Sequence, residues 1–98
     1  MIVSVDEARA YLAVDHPEDD ALIAALIDAA EAFVESQVGV SVTDLPARAQ
    51  IIARVLVLQL VSSWYDERTP AAPAIGDVAK RLLHAIAVIV RASEGGES

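Results

Sequence analysis

Apolar residues recur at intervals of three and four along almost the whole of this chain, and no stretch of useful length alternates apolar with polar. That spacing stacks side chains on one face of an α-helix and leaves no pattern for a half-buried strand. The clearest run is Leu22, Ile23, Leu26, Ile27, Ala30, Phe33, Val34 and Val38. It meets Gly39 at once, and glycine accepts the left-handed conformation in which helices end. The fold class expected is therefore all-α, a small bundle of about four helices: one short N-terminal helix, two long ones and a C-terminal helix.

The first helix is predicted over residues 5–13, where Ser4 and Glu7 have the spacing of a capping box. So short a helix is marginal alone and must dock on the rest. The second is predicted from His16 or Pro17 to Val38. Asp15 and Glu18 again have capping-box spacing, and Glu18, Asp19 and Asp20 suit the positive end of the helix dipole. Asp28, Glu31 and Glu35 are expected on its polar face. A loop over 40–45 leads to Asp44 and Pro46, which start a third helix reaching Glu67. Its middle (Ile51, Ile52, Val55, Leu56, Val57, Leu58, Leu60 and Val61) is apolar almost all round, as in a central helix or one covered by a neighbour. Residues 69–74 contain Pro70 and Pro73 and read as an extended loop. The fourth helix is predicted over 75–92 and a loose polar tail over 93–98. The core is expected to comprise Leu22, Leu26, Phe33, Ile52, Leu56, Leu60, Trp64, Leu82 and Ile86.

A chain of 98 residues has room for one domain, expected over residues 1–92. It has no cysteine, which excludes disulfides and thiolate metal sites. Its apolar fraction of 55% exceeds the ordinary ~45–50%. A domain this small cannot hide so much apolar surface alone, so part of it is expected to face another copy or another protein. There is no basic start of a secretory signal and no apolar run long enough to span a bilayer, so no membrane partner is expected.

The net charge of −8 is unevenly placed. Residues 1–44 carry ten acids against Arg9 alone, a net −9, and the rest carries five acids and six bases, a net +1. Nucleic-acid binding through phosphate neutralisation needs a clustered basic face, and Arg48, Arg54, Arg68, Lys80, Arg81 and Arg91 do not cluster in the sequence. A head-to-tail contact is the better use of such a split: some of these bases would meet Asp28, Glu31 or Glu35 of an adjacent subunit.

No catalytic constellation is found. The turn of Asp15, His16, Glu18, Asp19 and Asp20 lacks the alternating oxygens and central glycine of a calcium loop, and reads as capping. His16 and His84 have no paired metal spacing, and His84, beside the inner stripe, is expected to be partly buried. Ser62 and Ser63 lie within a helix, outside any nucleophile-elbow context, and suit a helix–helix contact. Gly76 and the Gly95–Gly96 pair do not form a phosphate loop. No catalytic residue, cofactor or metal is expected. Trp64 is expected in the core, and Tyr65 in a more exposed role at a partner surface.

Four pieces, in this order, resemble the head–tail connector adaptors of tailed phages. They are MIVSVDEA (residues 1–8) with YLAVDHPEDDALI (11–23); VESQVG (34–39); Leu45-Pro46 opening an apolar helix that finishes in WYDER (64–68); and PAIGDVAKRLL (73–83). The resemblance covers about residues 1–90. Ala8, Ala10 and Ala13 stand where such proteins carry more polar residues, the loop after Gly39 lacks a basic or threonine-rich stretch, and the fourth helix is longer and more apolar than usual. The resemblance implies a non-enzymatic structural subunit that assembles as a homo-oligomeric ring under the portal protein. Such a ring extends a channel through which DNA passes without sequence-specific binding, and docks the next connector or tail-completion protein. It would be made in the host cytoplasm and end in the neck of the virion. The competing reading is a small helical interaction module or antitoxin-like regulator, although no basic recognition helix stands out for it.

Overall fold

A computed structural model of the chain describes residues 2–67 and 76–95. Four α-helices make the bundle: α1 (Val5–Leu12), α2 (Asp20–Val38), α3 (Ala47–Glu67) and α4 (Asp77–Gly95). A single 3-10 turn, Val42–Asp44, joins α2 to α3, and there is no strand among the described residues. α3 is the central helix and packs against the other three.

α1 has the expected capping box. The Glu7 amide donates to Ser4 Oγ (3.0 Å) and the Ser4 amide to Glu7 Oε1 (3.1 Å). The helix ends one residue earlier than expected, because Ala13 takes a left-handed conformation (φ 58°, ψ 37°) and its amide turns back to Ala10 and Arg9 carbonyls. Val3 precedes the cap and Ala8 follows it at the positions of a hydrophobic staple, and both are fully buried.

α2 starts at Asp20, later than expected, and the pairing of Asp15 with Glu18 does not cap it. Asp19 occupies the cap position (φ −100°, ψ 12°) without a side-chain bond to the helix. The reason lies in competing partners. Pro17 accepts from the Asp20 amide in a tight turn (3.1 Å), Asp19 receives the Tyr65 hydroxyl, and Asp20 faces Arg9. Gly39 closes the helix as expected, at φ 76° with its amide on the Glu35 carbonyl (2.8 Å).

The 3-10 turn is tied to α3 by Gln50, whose Nε2 donates to the carbonyls of Thr43 (3.2 Å) and Leu45 (3.1 Å). α4 begins two residues later than expected and continues to Gly95, so residues 93–95 belong to the helix and not to a tail. The predicted loop over 69–74, Arg68 and residues 96–98 lie outside the described residues.

One cluster of buried side chains runs through the bundle. Leu26, Leu56, Leu60, Trp64 and Ile86 are buried in it, whereas Leu22, Phe33, Ile52 and Leu82 are half-buried and pack against it. Phe33 meets Trp64 edge to face (centroids 6.5 Å apart, planes at 85°), the arrangement that ring quadrupoles favour. Trp64, 5% exposed, is therefore part of the core. No described helix is long and apolar enough to cross a membrane.

Candidate interaction surfaces

Polar side chains fall into two groups, those consumed inside the chain and those left on its surface. The first group fixes α1 and the acidic turn. Arg9 reaches Asp6 (2.6 Å) and its Nε lies 3.1 Å from Asp20 Oδ1, an ion pair whose geometry is off line for a hydrogen bond. Arg54 of α3 pairs with Glu7 of α1. The hydrogen bond from the Ser4 amide, and after it the Arg54 guanidinium, hold the Glu7 carboxyl below the usual glutamate range. Tyr65, half-buried, donates its hydroxyl to Asp19 and so ties the end of α3 to the turn before α2.

Glu31 and Glu35 also belong to this group, and both depart from the expected polar face of α2. Glu31 is only 8% exposed and accepts the backbone amide of Ile2 (2.8 Å). Glu35 is half-buried and accepts from the Val42 amide (2.9 Å) and the Ser41 hydroxyl (3.3 Å), which orders the 3-10 turn. Period alone places both near the edge of the buried arc, and the segments before α1 and after α2 then cover them. Of the three acids expected on that face, Asp28 alone is exposed.

The second group is the surface. Lys80, Arg81, His84 and Arg91 are all exposed on α4, so His84 is not the partly buried residue expected beside the inner stripe. Arg48 is exposed near the start of α3. Large apolar side chains also face outward: Ile51 (66% exposed) and Val55 on α3, Val78 and Val88 on α4, and Tyr11 on α1. A shallow groove of about 230 Å³ lies between the end of α3 and the start of α4, lined by Gln59, Ser63, Trp64 and Asp77 among others. Ser63 is exposed at its rim and Ser62 half-buried. No group of three or more histidine, aspartate or glutamate side chains is placed to hold a metal ion among the described residues.

The family model of phage gp6-like head-tail connector proteins matches residues 2–78. The chain belongs to that family. The match takes in α1, α2, α3 and the first two residues of α4, and stops short of the residue 90 to which the sequence resemblance reached. Searches among curated proteins and among solved structures return no match. For a head-tail connector protein the working parts are the faces that meet other proteins, and exposed Asp28 of α2 and Lys80, Arg81 and Arg91 of α4 form no ion pair among the described residues.

The sequence marks Ser4 and Glu7 as a capping box, and the structure adds the staple of Val3 with Ala8 and the Ile2 amide on Glu31. The signal of the staple was present, since Val3 and Ala8 flank the capping box at its positions. In the sequence Arg9 stands out only as the lone base of the acidic half. Its role as the link between α1 and α2 has no local signature.

Proposed function

We propose that this connector-family chain is a non-catalytic adaptor subunit. It assembles as a homo-oligomeric ring beneath the portal, extends the channel for DNA and presents a docking face to the next connector or tail-completion protein. The observation that carries this reading is the family match over residues 2–78. Exposed Ile51, Val55, Val78 and Val88 support it, because apolar side chains left outside a small bundle suit burial against further subunits. In this reading the subunit is made in the host cytoplasm and finishes in the virion neck, and it needs no cofactor.

The test is the solution mass of the purified chain by light scattering over a wide concentration range, alone and with rings of the cognate portal protein. A closed ring of many copies, alone or seated on the portal, supports the reading. A chain that stays monomeric and does not bind the portal refutes it.

A further inference from the structure

Two of the exposed helix faces are complementary in charge, and the cations of one and the acids of the other form no ion pair among the described residues. On α4, Lys80, Arg81, His84 and Arg91 fall within roughly 100° of arc at 100° per residue, over ~16 Å of helix. None of the three permanent cations makes an ion pair among the described residues, whereas Arg9 and Arg54 do. Val88 (46% exposed) sits inside that arc and Val78 (56% exposed) about 60° beyond it. Asp77 is the acid at the start of this face. On α2, exposed Ala21, Ala25, Asp28 and Ala32 share one face, with exposed Glu18 just before the helix and exposed Ser36 and Gln37 near its end. Neither Asp28 nor Glu18 forms an ion pair among the described residues.

The geometry points to a second copy of this chain as the occupant of the α4 face, docked through the outer face of its α2. This rests on the ring-subunit reading above and names the contact that would build the ring. Charge complementarity is the first argument: Lys80, Arg81 and Arg91 outnumber Asp77 on this face and form no ion pair among the described residues, whereas exposed Glu18 and Asp28 make the α2 face acidic. Steric fit is the second. Alanines at 21, 25 and 32 let a facing helix approach to the lower end of the usual interaxial range of ~8–10 Å, where Val78 and Val88 would be covered. Topology is the third. The two faces belong to different helices, so the contact is heterologous and a docked pair keeps one free face of each kind, which lets further copies add until the rotation closes a ring. DNA is the weaker occupant, because the basic arc is interleaved with exposed valine and carried on a strongly acidic protein that repels phosphate.

The test uses two full-length variants. One carries Lys80→Glu, Arg81→Glu and Arg91→Glu; the other carries Glu18→Lys and Asp28→Lys. Each alone should self-associate at least about tenfold more weakly than the parent chain, since every copy then presents like charges at the contact. Mixed in equal amounts they should regain association, because the reversed α4 of one meets the reversed α2 of the other. Such recovery also shows that both variants fold. Unchanged self-association of either variant, or a mixture that stays dissociated, overturns the proposal. So does a parent chain that is monomeric at every concentration; if it nevertheless binds portal rings, the adaptor reading stands without this contact. Binding of duplex DNA at low salt that the α4 variant loses, with self-association intact, overturns it in favour of a DNA-facing helix.

Discussion

Glu31 separates folding from assembly more sharply than any other residue in the chain. Its carboxylate is nearly inaccessible and accepts the Ile2 amide at 2.8 Å, directly before fully buried Val3. Glu31→Ala removes the acceptor and strands a backbone N–H, a loss of ~1–3 kcal/mol. If the segment detaches instead, that amide regains water but Val3 leaves the core, at a comparable ~1.5–3 kcal/mol. The two routes are alternatives, so about 2 kcal/mol is expected, a fall in Tm of roughly 8–16 °C for a chain of this size. Glu31→Gln keeps an acceptor and loses only the charge, for about 1 kcal/mol. Glu31→Lys buries an unpaired cation and should cost on the order of 3–5 kcal/mol. Thermal melts read the stability, and amide hydrogen exchange at Ile2 and Val3 reads the segment. Unchanged stability and unchanged exchange in Glu31→Ala would refute the reasoning. The series also shows why charge reversal at this position cannot report on a subunit contact, although the sequence makes Glu31 look like a surface acid.

Four further outcomes are expected. Ala13→Gly should stabilise the chain by about 0.5–1 kcal/mol, since relief of a left-handed alanine (~1–2 kcal/mol) exceeds the entropy glycine adds to the unfolded chain; denaturant unfolding with an unchanged m-value checks it. Leu56→Ala, at a fully buried site of the central helix, should cost ~2–5 kcal/mol by the same measurement. Because the Glu7 carboxyl is held below its unfolded value, its contribution is present above the usual glutamate range and is lost as pH falls through its folded value; the difference in melting between the parent chain and Glu7→Gln should shrink over that acidic window, and a difference constant with pH would contradict the assignment. Lys80→Glu with Arg81→Glu should leave the stability of the dissociated chain within about 0.5 kcal/mol, as both side chains are exposed and form no ion pair among the described residues, and a larger loss in dilute thermal melts would show that the α4 face has a structural role.

The helices were legible in the sequence because apolar period, glycine stops and one true capping box act locally. The run from Ile23 to Val34 needed only its spacing, and Gly39 only its position. The start of α2 was not legible, since the acids before it have a choice of partners. Helix capping offered Asp15 and Glu18 one role, but Tyr65 and Arg9, distant in sequence, draw Asp19 and Asp20 away from it. The polar face of α2 was misread for a related reason. Period identifies which side of a helix faces the other helices, and it is blind to irregular segments that fold over the flank. Ile2 covers Glu31 and the 3-10 turn covers Glu35, and neither segment has a period to betray it. His84 was judged by its neighbours Leu82 and Leu83, but a step of one residue on a helix turns the side chain by ~100° and carries it to the surface.

The division of charge in space therefore differs from its division along the chain. In sequence the acidic half stands against a nearly neutral one. In the fold, the acids nearest α1 and the ends of α2 are consumed by Arg9, Arg54, Tyr65 and backbone amides, which lock the short first helix and its flanking turns onto the bundle. The exposed charges without an ion pair among the described residues include Asp15, Glu18, Asp28, Asp44, Asp66 and Asp77, together with Arg48 and a basic arc of Lys80, Arg81 and Arg91 on α4, and that arc lies beyond the span that the family model matches. Exposed charges of this kind add little to stability and much to the choice and orientation of partners. A connector subunit built this way can vary the surface of its last helix without disturbing the fold, because the residues that hold the fold and the residues left to meet a partner are different residues.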